Sequence, residues 1–268
     1  MQSDAEQSQV KKILLYSILA TGLSLVIANF FGKEIASTVS LTLYVPVTLA
    51  LVVLSLIMVA RFGLKGDHGK AWFLFVIFAS LWFIAERIAF YYNFTTGDEP
   101  FPSEADAFWL AGYPFLFGFL IFYLRPVKKA ISKKMLGLSC LISLALLVPT
   151  LYITYADSSE ENWSDTVIAV SYPIADAIIL IPAIIGVVLF FRGKVNFLWS
   201  LMCIAIMFEI AADTGFLLAT LDDSYYQGHP VDILYIWYYI IFSFGVYSHV
   251  AIFKSHKKDS YKNIEDLR

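Results

Sequence analysis

Residues 167–191 read VIAVSYPIADAIILIPAIIGVVLFF, a run of 25 residues whose only charged side chain is Asp176. As an α-helix this run would be about 37 Å long, enough to cross the hydrocarbon core of a bilayer, which is about 30 Å thick. A membrane-spanning segment is either a helix or a strand of a closed barrel, and barrel strands alternate polar and apolar residues. The run does not alternate, so it predicts a transmembrane helix.

Runs of this kind recur along the whole chain. The 268 residues are 59% hydrophobic and 15% charged, whereas a soluble domain carries about 25% charged residues. No connection between the runs reaches 20 residues, which leaves no room there for a soluble catalytic or nucleic-acid-binding domain. We predict an all-α, polytopic integral membrane bundle with eight transmembrane helices, at residues 13–31, 39–60, 71–92, 107–124, 135–155, 167–191, 197–221 and 233–253.

The basic residues predict the orientation of this bundle. Of the 19 lysine and arginine residues, 17 fall in the two tails and in alternate connections, and the opposite connections contain only Lys33. Because cytoplasmic segments are enriched in basic residues, both termini are predicted to be cytoplasmic in a multi-pass protein of the cell membrane. The domain organisation is then a cytoplasmic tail (residues 1–12), one transmembrane domain (13–253) and a second cytoplasmic tail (254–268).

The outer connections are acidic instead, and the net charge is −3. A chain without a basic face cannot neutralise many phosphates, so no nucleic-acid partner is expected. The acidity is typical of ordinary solvated loops, and it is also compatible with a mouth that attracts a cation or ligand.

The sequence also suggests an internal repeat of four plus four helices. The first set of matching positions comprises Tyr44, Glu86 and Asp106, and the second comprises Tyr172, Asp213 and Asp232. Glu86 precedes Asp106 by 20 residues, and Asp213 precedes Asp232 by 19. Because both sets begin on the inside, the repeat would be parallel, about an axis along the membrane normal.

Ionisable residues within or bordering the predicted spans are the candidate ligand-binding residues, because lipid cannot solvate them. They are Glu86, Arg87, Asp106, Asp176, Glu209, Asp213 and Asp232. A structural role is an alternative for three of them. Asp106 and Asp232 are placed to cap helix N-termini, and Arg87 is expected to neutralise a carboxylate of another helix, with Asp213 or Asp176 as its partner. The excess of acids over Arg87 leaves carboxyl groups free to bind a ligand or carry a proton.

Other chemical motifs are missing from the sequence. His229, with Asp222, Asp223 and Asp232, lacks any recognised metal-ligand spacing, so no metal site is predicted, and the cofactor is unknown. The chain has no glycine-rich phosphate loop, HExxH or GxSxG motif, so no catalytic residue is assigned.

Residues 102–114, PSEADAFWLAGYP, carry a family resemblance. They resemble the Pro-Ser-x-Ala-Asp-x-x-x-Leu-x-x-Tyr-Pro stretch of polytopic membrane modules that precede diguanylate cyclase (GGDEF), phosphodiesterase (EAL) and histidine kinase domains. Residues 171–180, SYPIADAIIL, are similar to the second helix of those modules, and the closing pair is matched by Asp213, Asp232, Tyr235, Trp237 and Tyr238. The resemblance covers residues 71–250 and implies a sensory module of unknown ligand.

Three functional hypotheses remain. The first is a non-enzymatic sensory or ligand-binding protein with an acidic outer-leaflet pocket for a small molecule, lipid or cation. Because the 15 residues after the last span contain no output domain, it would signal through a separate cytoplasmic or membrane partner. The second is an intramembrane lipid hydrolase, from a loose similarity to the lysoplasmalogenase family, in which Asp176 and Asp213 would activate water. The third is a proton- or cation-coupled transporter or a subunit of a membrane complex.

The topology can be tested with two single cysteines in a chain that lacks Cys140 and Cys203. A cysteine at Ser158 should react with a membrane-impermeant thiol reagent added outside. A cysteine at Ser132 should react only from the cytoplasmic side, because loops rich in lysine and arginine remain in the cytoplasm. Labelling of both positions from the same side would disprove the predicted orientation.

Overall fold

The computed structural model describes residues 4–97, 99–157, 163–190 and 196–265, and these ranges consist of helices joined by short connections, with no strand in them. Its helices are α1 (Asp4–Phe30), α2 (Lys33–Phe62), α3 (Gly66–Thr95), α4 (Glu104–Leu124), α5 (Lys133–Asp157), α6 (Trp163–Phe190), α7 (Asn196–Leu221) and α8 (Asp232–Glu265). A short 3-10 segment, Arg125–Ala130, links α4 to α5. Seven of the helices are long and apolar enough to cross a membrane.

The predicted helices are therefore present, and most extend beyond their predicted ends. The polar segments 4–12 and 254–265, which the sequence placed in tails, continue α1 and α8 as helix. Neither segment contains glycine or proline, so nothing in its sequence interrupts the helix. With 34 residues, α8 is about 51 Å long, which is longer than a bilayer is thick.

Short connections make consecutive helices antiparallel and give the bundle two ends. We call the end that contains the α1–α2, α3–α4, α5–α6 and α7–α8 connections the acidic end, and the opposite one the basic end. Helix α8 packs against α1, α2 and α7, while α4 packs against α3 and α6. Helices α1 and α5 lie at the periphery, where leucines such as Leu23 and Leu141 are more than half exposed, as expected of surfaces that face lipid.

The core between α3, α4 and α8 is aromatic. On α3, Phe75 and Phe78 repeat at helical spacing and turn one face inward. The Phe75 ring lies 4.8 Å from that of Phe119 on α4 and 5.5 Å from that of Phe242 on α8, between ring centroids. These edge-on and tilted contacts fix the spacing of three helices.

Close approach of α3 and α4 depends on Gly112. The indole of Trp82 lies against the Gly112 backbone, and its Nε1 donates a hydrogen bond to the Trp109 carbonyl oxygen at 2.9 Å. A Cβ atom on residue 112 would overlap this indole. Trp82 therefore packs only because residue 112 has no side chain.

We predict that Gly112→Ala destabilises the purified protein by about 1–3 kcal/mol, because the added methyl displaces the Trp82 ring and its hydrogen bond. Gly137→Ala on α5 is the matched control, since a Cβ there meets no atom within 4 Å and alanine favours helix. Thermal unfolding in detergent should show a lower midpoint for Gly112→Ala and an equal or higher one for Gly137→Ala. Equal midpoints for the two variants would contradict the prediction.

Candidate functional site

Three carboxyl groups meet inside the bundle, and we call them the carboxylate triad: Asp176 on α6, and Glu209 and Asp213 on α7. Glu209 and Asp213 are four residues apart, so their side chains share one face of α7. One carboxylate oxygen from each of the three residues lies within 4.8 Å of the others. Asp176 and Glu209 are buried, and Asp213 is partly exposed. This spacing is short enough for a single ion to contact all three.

The hydroxyl of Tyr113, on α4, lies at the centre of the triad. Its oxygen is 2.8 Å from Asp176 Oδ1, 2.9 Å from Glu209 Oε1 and 3.1 Å from Asp213 Oδ2. A phenol hydroxyl has one proton to donate and two lone pairs to accept. All three contacts can be hydrogen bonds only when two of the carboxyl groups carry protons and donate to Tyr113.

Two further observations complete the triad. Tyr235, on α8, donates a hydrogen bond to Asp213 Oδ1 at 2.6 Å, so the site connects α4, α6, α7 and α8. Glu209 Oε2 is buried and has no hydrogen-bond partner. Among the described residues no lysine or arginine forms an ion pair with the triad, so its charge is balanced by protons or by a bound cation.

Glu86 lies apart from the triad. Its Oε1 accepts a hydrogen bond of 2.9 Å from Tyr239 on α8. This bond joins α3 to α8, just as the contact of Tyr113 with Asp213 joins α4 to α7. Tyr239 binds one carboxyl group, however, whereas Tyr113 contacts all three of the triad.

Asp106 stabilises the N-terminus of α4, although the N-cap itself is Ser103. The expected capping role of Asp232 is not seen, because its carboxylate binds the connection before α8 and Ser40 of α2. Asp106 Oδ2 accepts from the Ser103 backbone N–H at 2.7 Å in a capping box, and Asp106 Oδ1 accepts from the Tyr172 hydroxyl at 2.6 Å. Asp232 Oδ2 accepts from the Gly228 N–H at 2.7 Å and from Ser40 Oγ at 2.9 Å. Both carboxylates use both oxygens in hydrogen bonds, since Tyr225 donates to Asp232 Oδ1.

The expected ion pair of Arg87 is contradicted in the part of the chain that the structure describes. Arg87 Nε and Nη2 have no hydrogen-bond partner, and the guanidinium carbon lies 5.4 Å and 5.5 Å from the ring centroids of Phe83 and Phe90 on its own helix. The reason is helical geometry. Adjacent residues point about 100° apart, so Arg87 turns away from the bundle interior where Glu86 turns towards α8.

The candidate residues thus divide into separate places instead of sharing one polar cavity. No triad residue lines the small cavity between α4, α6 and α7 or the groove on α3 that contains Phe83 and Arg87. The tyrosines that bind the carboxyl groups were missed as site residues. Their sequence signal was available, because Tyr113 and Tyr239 each follow an N-terminal aspartate, Asp106 or Asp232, by seven residues.

His229 does not form a metal site with the neighbouring aspartates. Its Nδ1 accepts a hydrogen bond from the Val231 N–H at 3.2 Å, and Asp232 is engaged by Gly228 and Ser40. Burial and the positive charge of Lys33 lower the pKa of His229, which favours its neutral form. In the described ranges, the triad is the group of histidine, cysteine or acidic residues with the spacing of a metal site.

Comparison of the chain with models of protein families, with curated proteins and with solved structures finds no match.

We predict that Tyr113→Phe lowers the thermal midpoint of the detergent-solubilised protein more than Tyr239→Phe. Each substitution deletes one buried hydroxyl, but Tyr113 contacts three carboxyl groups and Tyr239 contacts one. An unsatisfied buried polar group costs about 1–3 kcal/mol, so the loss at Tyr113 should be the larger. A larger loss for Tyr239→Phe would show that the hydroxyl does not hold the triad together.

Proposed function

We propose that this protein is a multi-pass membrane protein that binds a small cation at the carboxylate triad in exchange for protons, and that this binding is the input of a sensory function. The observation that carries the proposal is the contact of one hydroxyl, that of Tyr113, with all three carboxyl groups of the triad. A cation in the same place would bind the carboxylate oxygens directly and release the protons.

The chemistry of the triad favours a small, hard cation over an organic ligand. Carboxylate oxygens are the preferred ligands of Ca²⁺, Mg²⁺ and Mn²⁺. The triad supplies three of them within 4.8 Å, and buried Glu209 Oε2 is an oxygen without a partner. The metal site that sequence spacing did not predict is therefore part of this proposal.

Access to the triad is through Asp213. It is the partly exposed member, and Glu209 lies one helical turn deeper. Asp213 is eight residues before the end of α7, about 12 Å from the acidic end of the bundle. A cation attracted by the acidic connections would meet Asp213 first.

Exchange with protons makes binding depend on pH. Because ligand carboxyl groups must lose their protons before they coordinate a metal, binding releases protons and strengthens as pH rises. The same triad without a cation retains its protons and remains closed around Tyr113. The cation-bound triad and the protonated triad therefore have different hydrogen bonds.

Helix α8 supplies the connection to a partner. Tyr235 of α8 donates to Asp213, so a change in the triad changes a bond made by α8. The helix then continues to Glu265 at the basic end, with Lys254, Lys257 and Lys258 in that extension. The resemblance of residues 71–250 to sensory modules supports a signalling role, which would act through a separate cytoplasmic or membrane partner.

An internal repeat is part of the proposal, together with eight spans and two cytoplasmic termini. In this repeat, α2, α3 and α4 of the first half correspond to α6, α7 and α8 of the second. The contact of α2 with α8 then corresponds to that of α6 with α4, and the contact of α2 with α3 corresponds to that of α6 with α7. The bond from Tyr239 to Glu86 corresponds to the contact of Tyr113 with Asp213, at equivalent positions. In this register Thr48 and Trp82 occupy the places of Asp176 and Glu209. Only the second half then has a triad, and Glu86 provides a natural control.

A proton- and cation-coupled carrier is the second candidate, because the exchange of protons for a cation at the triad is also the basic step of such a carrier. The lipid-hydrolase hypothesis is supported only by the loose sequence similarity to the lysoplasmalogenase family.

The test is Mn²⁺ binding to the full-length protein in detergent, measured from the loss of the electron paramagnetic resonance signal of free Mn²⁺. We expect one site in the wild type, with tighter binding at about pH 8 than at about pH 6 because protons are released. Asp176→Asn and Asp213→Asn should each weaken binding by about tenfold or more, since each removes one of three charged ligands. Glu86→Gln is the matched control and should bind as the wild type does.

Size-exclusion chromatography establishes that each variant is folded before its Mn²⁺ affinity is compared. Equal affinities for Asp213→Asn and Glu86→Gln would overturn the cation site. Where binding is present, Mn²⁺ uptake into proteoliposomes distinguishes the two candidates. Uptake with opposite movement of protons would support the carrier, and binding without uptake would support the sensor.

A further inference from the structure

Arg87 lies in a groove on the outer surface of the bundle, away from the triad. The groove has a volume of about 410 Å³, which is within the range of about 300–1,000 Å³ found for ligand clefts. It is formed by one face of α3 and the first residue of α4. Its lining residues are Phe83, Ile84, Arg87, Ile88, Tyr91, Tyr92 and Glu104.

The depth of Arg87 places it just below the headgroups of a bilayer. Helix α3 has 30 residues and is about 45 Å long, which matches a bilayer of about 40–45 Å including its headgroups. Arg87 is eight residues before the end of α3 at Thr95, or about 10 Å from the midpoint of the helix. The boundary of the hydrocarbon core is about 15 Å from the midplane, and an arginine side chain can reach across the difference.

Arg87 forms no ion pair with another described side chain. Nε and Nη2 are buried and have no hydrogen-bond partner, and the flanking rings of Phe83 and Phe90 provide only cation–π contacts. A guanidinium at this depth is costly without an anion, and its planar fork suits a phosphate group. The apolar groove around it suits acyl chains.

Glu104 gives the same groove an acidic upper edge. It is the first residue of α4, it is exposed, and its Oε2 accepts a hydrogen bond of 2.6 Å from Tyr92. A ligand in the groove therefore meets a cation at Arg87, close to the hydrocarbon core, and an anion at Glu104, close to water. A zwitterionic phospholipid has the complementary charges in the same order.

We propose that this groove binds one zwitterionic phospholipid of the leaflet at the acidic end, of the phosphatidylethanolamine type. The phosphate binds Arg87, the ammonium group binds Glu104, and an acyl chain lies along Phe83, Ile84 and Ile88. The phosphate then provides the directly bound anion that Arg87 lacks among the described side chains. This site shares no residue with the triad, so it stands or fails independently of cation binding.

The test is native mass spectrometry of the full-length protein in detergent with added phosphatidylethanolamine, phosphatidylglycerol or diacylglycerol. The wild type should retain phosphatidylethanolamine best and diacylglycerol, which has no phosphate, least. Arg87→Met keeps an apolar side chain of similar length and should reduce retained phosphatidylethanolamine by about tenfold, as for the loss of a charge-assisted contact. Lys33→Met is the matched control, because it removes a positive charge at the same end of the bundle but outside the groove, where Lys33 lies over the Tyr226 ring. This variant should retain the lipid as the wild type does.

Glu104→Gln tests the second contact. It should lower retention of phosphatidylethanolamine and remove its advantage over phosphatidylglycerol, which has a phosphate but no ammonium group. Equal retention by Arg87→Met and Lys33→Met would overturn the proposal. Equal retention of diacylglycerol and phosphatidylethanolamine by the wild type would also overturn it, and this comparison does not depend on the folding of any variant.

Discussion

The absence of water inside a membrane is the constraint on which this structure depends. A buried carboxyl group must find its hydrogen-bond partner within the protein, because lipid offers none. Tyrosine hydroxyls are the main partners here. Tyr172, Tyr113, Tyr235 and Tyr239 each bind a carboxyl group on another helix, or on two other helices. These bonds join the helices and leave the carboxyl groups without a basic partner among the described residues.

A tyrosine partner has a different consequence from an arginine partner. An arginine would fix the carboxylate in its charged form, whereas a hydroxyl can either donate or accept and so tolerates both protonation states. The triad around Tyr113 can therefore change its proton content by rearranging its hydrogen bonds, with no ion pair to break. The simpler pair of Glu86 and Tyr239 has the same kind of bond but lacks the neighbouring acids that would share a cation.

The adjacent residues Glu86 and Arg87 illustrate how one helix divides its polar groups between two environments. Glu86 is satisfied inside the bundle by Tyr239, and Arg87 turns out into a groove of aromatic and aliphatic side chains. Their opposite charges do not form an ion pair, since neighbouring positions on a helix diverge by about 100°. The interior of the bundle is thus acidic, and the compensating cation of α3 faces the region of the lipid headgroups.

The sequence by itself determined the helical class, the position of each long helix and which connections are acidic, because length and hydropathy decide whether a segment can span a bilayer. It also identified the carboxyl groups and the stabilising role of Asp106 at the N-terminus of α4. It did not determine which groups meet. Helices that are apolar all round carry no pattern that marks their inner face, so their rotation is set by packing, as where the Trp82 indole lies against Gly112. Only the tertiary structure could therefore bring Tyr113 into contact with Asp176, Glu209 and Asp213 and leave Arg87 outside.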